Sequence, residues 1–72
     1  MTLYDLINNV EFDGDLLVSV YDDEKEAYII ETTDFCDLTA KKKEEIEDLE
    51  VSCIYPYHIN QYAAIVIELR TE

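Results

Sequence analysis

Glycine and proline occur once each in this 72-residue chain, as Gly14 and Pro56; histidine also occurs once, as His58, and basic residues five times. Each scarcity excludes something. With so few chain breakers and 49% apolar residues, the sequence is neither a flexible linker nor a disordered acidic tail. A lone histidine leaves a general base or a metal ligand without the partners such chemistry needs. The five cations, Lys25, Lys41, Lys42, Lys43 and Arg70, make no basic face able to displace counterions, so direct binding to nucleic acid or to an anionic membrane is disfavoured. No stretch approaches the roughly 18 apolar residues of a membrane-crossing helix, and "MTLYDLINNV" lacks the basic start and long apolar run of a signal peptide. A cytoplasmic protein without a membrane partner is expected. Its two cysteines, Cys36 and Cys53, form no CxxC, and in a reducing compartment they read as small apolar packing residues.

Carboxylates are what the chain has in excess. Eighteen acids against five bases leave a net charge of −13. The densest segment, "YDDEKEAYIIETTDFCD" at 21–37, holds seven of the acids and one lysine. The length supports one domain, residues 1–72, too small to enclose a large substrate cavity.

Periodicity organises the chain. Leu3, Leu6, Ile7 and Val10 fall at i, i+3, i+4 and i+7, which predicts a short amphipathic helix over 3–10, with Thr2 as N-cap and Asp5 in the first turn. "FDGD" reads as a turn around the only glycine. "DLLVSVY", "DDEKE" and "AYIIET" then read as a β-hairpin. "DLTAKKKEEIEDLE" predicts a second helix, with Leu38, Ile46 and Leu49 on one face. Its lysines precede its acids, opposite to the preference of the helix dipole, which implies a requirement other than stability. "LEVSCIY", a longer hairpin connection "PYHINQY", and "AIVIE" complete the chain. They echo the first half at offsets of 33 and 37, consistent either with a repeated αββ unit or with chance likeness between valine-rich strands.

The expected fold is therefore α+β: a four-stranded, mainly antiparallel sheet in the order αββαββ, with two helices on one face. Strand alternation assigns Leu16, Val18, Val20, Tyr28, Ile30, Val51, Cys53, Ile65, Ile67 and Leu69 to the helix side. The opposite parity holds Leu17, Ile29, Ile54 and Val66, an apolar stripe where a solvated face would be polar. Such a stripe predicts oligomerisation or an adaptor role, and a homodimer in particular.

Catalytic constellations are missing from the sequence. No phosphate-binding loop, GxSxG or HExxH occurs. Cys36, Asp37, Cys53 and His58 lack zinc-motif spacing, and the five residues of strand and turn from Cys53 to His58 carry those two side chains apart, against a nucleophile and its base. No enzyme, cofactor or metal is expected. Tyrosine is frequent, at positions 4, 21, 28, 55, 57 and 62, and suits either strand packing or a partner-facing contact.

Rows of acids at helix and strand spacing can occupy a basic groove that ordinarily tracks phosphates. In its size, its acidity, its short opening helix "MTLYDLINNV" before strands, and its "DDEKE" and "KKKEEIEDLE" segments, the whole chain resembles the small acidic inhibitors of phages and mobile elements, including DNA-mimicking anti-CRISPR and anti-restriction proteins. The run Lys41–Lys43 departs from that pattern by interrupting the anionic surface. The resemblance implies a non-enzymatic inhibitor or modulator whose partner is a protein with a basic surface. The acids expected to face that partner are Asp22, Asp23, Glu24, Glu26, Glu31, Asp34, Asp37, Glu44, Glu47 and Asp48. The alternative is that they only keep the domain soluble.

Overall fold

The computed structural model describes residues 1–11, 15–59 and 61–71, so the turn expected at Phe12–Gly14 lies outside the described residues. Helix α1, Leu3–Asn9, begins with a full capping box: Thr2 Oγ1 accepts from the Asp5 amide at 3.2 Å, and the Thr2 amide donates to Asp5 Oδ2 at 3.3 Å. Seven residues do not hold a helix in water. The first turn is instead tied to the segment before β3, Glu50–Ile59: the Leu3 amide donates to the Leu49 carbonyl at 3.0 Å, and the Tyr4 amide to the Glu47 carbonyl at 2.9 Å. Donors that a helix start leaves orphaned are thereby satisfied by the chain it docks on.

Strands β1, Asp15–Asp22, and β2, Ala27–Asp34, form the expected hairpin. The second helix is shorter than its composition predicts. A 3₁₀ turn occupies Phe35–Asp37, with the Asp34 side chain accepting from the Cys36 amide at 2.9 Å, and α2 spans only Ala40–Ile46. Glu44, Glu45, Glu47 and Asp48 would crowd like charges onto the negative end of a longer helix, which favours stopping at Ile46. Leu38 and Leu49 lie outside α2, yet both pack against the core beside Ile46. The reversed charge order has a partial explanation. Lys43 Nζ lies 4.9 Å from the centre of the Phe35 ring, and Lys42 pairs with Glu45 at 3.5 Å.

The sheet is mixed, which corrects the mainly antiparallel expectation. Its strand order is β2-β1-β4-β3, with β4 spanning Tyr62–Arg70; the two hairpins are antiparallel and the central pair, β1 with β4, is parallel. The connection through α2 carries the chain past the position beside β1, so the last strand fills it. The strands of the second hairpin also run further than expected. "PYHI" belongs to β3 and Tyr62 already pairs with Ile59, while Asn60 lies outside the described residues. In the echoed halves, the first strand is central in one unit and at the edge in the other, so the two units are not placed equivalently in the sheet.

Both helices pack on one face. Leu3, Leu6 and Ile46 join Val18, Val20, Ile30, Ile67 and Leu69 in a single buried cluster. The central strands are covered on their other side as well, where Val66 is fully buried and Ser19 is 2% exposed.

Three register shifts overturn part of the face assignment. Irregularities between Val18 and Val20 and between Val20 and Tyr21 pair Ile30 with Val20 but Tyr28 with Tyr21, so Tyr28 leaves the helix side. A shift between Val51 and Cys53 pairs Cys53 with Glu68 and Ile54 with Ile67, which exchanges the faces of Cys53 and Ile54. The cysteines expected to pack inside are both exposed free thiols.

Candidate functional site

The face away from the helices is built from alternate residues of the four strands. Pairing places Tyr21 beside Tyr28 and Arg70, Ser19 beside Glu68, Cys53 opposite Glu68, and Tyr55 opposite Val66. The apolar stripe expected there does not assemble. Leu17 and Val66 are register partners, but Val66 is buried; Ile54 is carried to the other face by the β3 bulge, and Ile29 is the extra residue between the pairs Val20–Ile30 and Tyr21–Tyr28. Tyrosines and a carboxylate hold the positions between.

Glu68, on the central strand β4, is the hub of this face. Its Oε1 accepts from the Tyr28 hydroxyl at 2.6 Å and its Oε2 from the Cys53 thiol at 3.5 Å. The hydrogen bond to Glu68, then desolvation, push the Tyr28 phenol up to about 12. Desolvation against the sheet, followed by Glu68, also raises the Cys53 thiol and the Tyr55 phenol. Raised values hold the thiol and both phenols protonated near neutral pH, a state suited to donating hydrogen bonds and unsuited to nucleophilic attack. Tyr28 binds its proton more tightly folded than unfolded. Its contribution to stability is therefore complete below about pH 10, the ordinary phenol value, and is lost as pH rises towards about 12. Phenolate absorbance should show Tyr28 titrating late, with Tyr55 also delayed, and Glu68→Gln should return Tyr28 towards the ordinary range. Six tyrosines titrating together in the wild type would refute the hydrogen bond.

A recess of about 270 Å³ opens on the same face, lined by Ser19, Tyr28, Glu31, Thr32 and Tyr55. Thr32 is held there at φ 28°, a conformation that costs a β-branched residue about 1–3 kcal/mol. Ser19 restrains it: the Thr32 amide donates to Ser19 Oγ at 2.9 Å, and the two hydroxyls are 3.2 Å apart. Nearby, Tyr21 and Tyr28 meet edge to face at 5.1 Å, and the Arg70 guanidinium lies 4.9 Å from the Tyr21 ring centre. Among the described residues no group of three or more His, Cys, Asp or Glu is arranged to hold a metal ion, and no helix is long and apolar enough to cross a membrane.

The acids divide between ends of the sheet. Pairing of Asp22 with Ala27, Tyr21 with Arg70 and Glu50 with Arg70 sets the β1–β2 turn and the start of β3 at one end. Asp22, Asp23, Glu24, Glu26, Glu47 and Asp48 gather there, over a width of three strand spacings, roughly 14 Å. Asp34 and Asp37 belong to the opposite end, Glu31 borders the recess and Glu44 lies on α2. Two of the clustered acids have structural tasks. Asp22 Oδ1 accepts from the Glu24 amide at 2.9 Å and from the Lys25 amide at 3.2 Å, closing the turn. Asp23 pairs with Arg70 at 3.5 Å, and its amide donates to Thr71 Oγ1 at 3.3 Å. Strand alternation also places Ser19 and Glu68 on this face, Glu68 at its charged border; their hydrogen bonds, and the part played by Thr32, depend on neighbours in other strands. Strand alternation and the tyrosine count are the two signals in the sequence that point to this face.

No family model matches this chain, and neither a curated protein nor a solved structure does.

Proposed function

We propose that the protein is a non-enzymatic binding module that engages a basic surface of a partner protein, in its sharpest form an inhibitor that occupies a nucleic-acid-binding surface. The observation that carries this reading is the adjacency of two features at one sheet end: the acids of the β1–β2 and α2–β3 turns, and the open face of tyrosines and carboxylates whose one cation, Arg70, is already engaged by Asp23 and Tyr21. Clustered acids steer a basic partner over a distance of about one Debye length, ~8–10 Å. Tyrosines then supply contact area at small entropic cost. A surface serving only solubility has no need of either arrangement.

The test uses the tagged protein as bait against two fractions of a lysate of the cells that make it, one retained on a phosphate-bearing resin and one not. Capture should come from the retained fraction, weaken with salt, and be reversed by added DNA. Glu24→Gln with Glu26→Gln, two turn acids whose side chains make no hydrogen bonds among the described residues, should reduce capture and flatten its salt dependence while leaving the unfolding midpoint unchanged or slightly raised. Capture equal from both fractions and indifferent to DNA would overturn the reading.

A further inference from the structure

We propose that the recess lined by Ser19, Tyr28, Glu31, Thr32 and Tyr55 is the seat for an arginine side chain of the partner, an inference that rests on the binding reading above. Its size comes first. About 270 Å³ falls below the roughly 300–1,000 Å³ usual for small-molecule and cofactor sites, and suits a single long side chain delivered by a larger ligand. Charge selects the sign of the occupant: none of the lining residues is basic, Glu31 is exposed at the recess, and the lining Tyr28 hydroxyl donates to the Glu68 carboxylate. Anions are thereby disfavoured.

Shape and chemistry separate arginine from lysine. Tyr28 and Tyr55 come from opposite edge strands, β2 and β3, and border the recess, while Ser19 and Thr32 line it with hydroxyls. A guanidinium is planar, weakly hydrated and carries five donors, so it stacks on a phenol ring while donating to a carboxylate and a hydroxyl together; an ammonium is a strongly hydrated point charge. This sheet face already holds one such contact within the chain: the Arg70 guanidinium lies over Tyr21 at 4.9 Å and pairs with Asp23 at 3.5 Å. The recess offers the same pairing of a tyrosine with a carboxylate to a guanidinium from outside. The strained backbone of Thr32, fixed by Ser19, holds the lining before the ligand arrives, which lowers the entropic cost of binding.

The experiment titrates the full chain with an oligo-arginine and an oligo-lysine peptide of equal length, following backbone amide shifts at low and moderate salt. Oligo-arginine should bind about fivefold more tightly, with the largest shifts at Ser19, Thr32 and Tyr55. Tyr55→Leu and Glu31→Gln, both at exposed positions, should each remove that preference while Tyr4→Leu on α1 keeps it. Equal affinity for the two peptides, with shifts confined to the β1–β2 and α2–β3 turns, would overturn the arginine seat and leave the basic-partner reading standing. Binding of neither peptide at low salt would overturn both.

Discussion

Val66→Asp is expected to unfold the domain, whereas Ile54→Asp leaves it folded, although both residues are branched aliphatics of adjacent strands that alternation assigned to one stripe. Val66 is fully buried between Leu17 of β1 and Tyr55 of β3, while Ile54 is 48% exposed. A carboxylate at position 66 would be desolvated without a cation and would lie two residues from Glu68 on the same face of β4. That cost is at least about 3 kcal/mol, comparable to the whole margin that a core this small supplies. At position 54 the new charge stays in water, and the cost should remain within about 1 kcal/mol. Urea titration followed by far-ultraviolet circular dichroism separates the two variants. Equal tolerance would mean that the bulge between Val51 and Cys53 is not where the sheet places it.

Leu3→Ala should destabilise nearly as much, by about 2–5 kcal/mol, because it truncates a fully buried side chain on a helix too short to hold itself. Leu3 couples two links of the structure: its side chain enters the core cluster, and its amide donates to Leu49 at 3.0 Å. Losing the packing loosens the α1 contact with the α2–β3 turn and so the end of the sheet where six of the candidate acids gather. Tyr4→Ala, one residue along and 52% exposed, is the control and should change the midpoint little. A Leu3→Ala loss below about 1 kcal/mol would show that α1 does not close this core.

Several features were legible without coordinates because they depend on residues a few positions apart. The Thr2 cap with Asp5 in the first turn, the Leu3, Leu6 and Ile7 part of the α1 stripe, the β1–β2 hairpin and the charge of −13 are of this kind, whereas Val10 caps α1 and is exposed, and β1 and β2 each run to eight residues. The division of the chain into two helices and four strands was legible too. The acids expected to face a partner included Asp22 and Asp23, of which one closes a turn and the other pairs with Arg70.

Alternation failed at Tyr28, Cys53 and Ile54 for a definite reason. A strand's side chains repeat every two residues, so one inserted residue reverses every face beyond it, and nothing local in "VSCI" or "AYII" announces the insertion. Strand neighbours were equally unreadable, since valine-rich and isoleucine-rich strands pair acceptably with one another in either direction. Local sequence thus accounts for the elements, their caps and the electrostatic character of the chain. Packing between distant segments made β4 the parallel neighbour of β1, brought Glu68 within reach of Tyr28 and Cys53, and collected the acids of two separate turns at one end of the sheet, because those outcomes depend on contacts 15–49 residues apart that only the closed core selects.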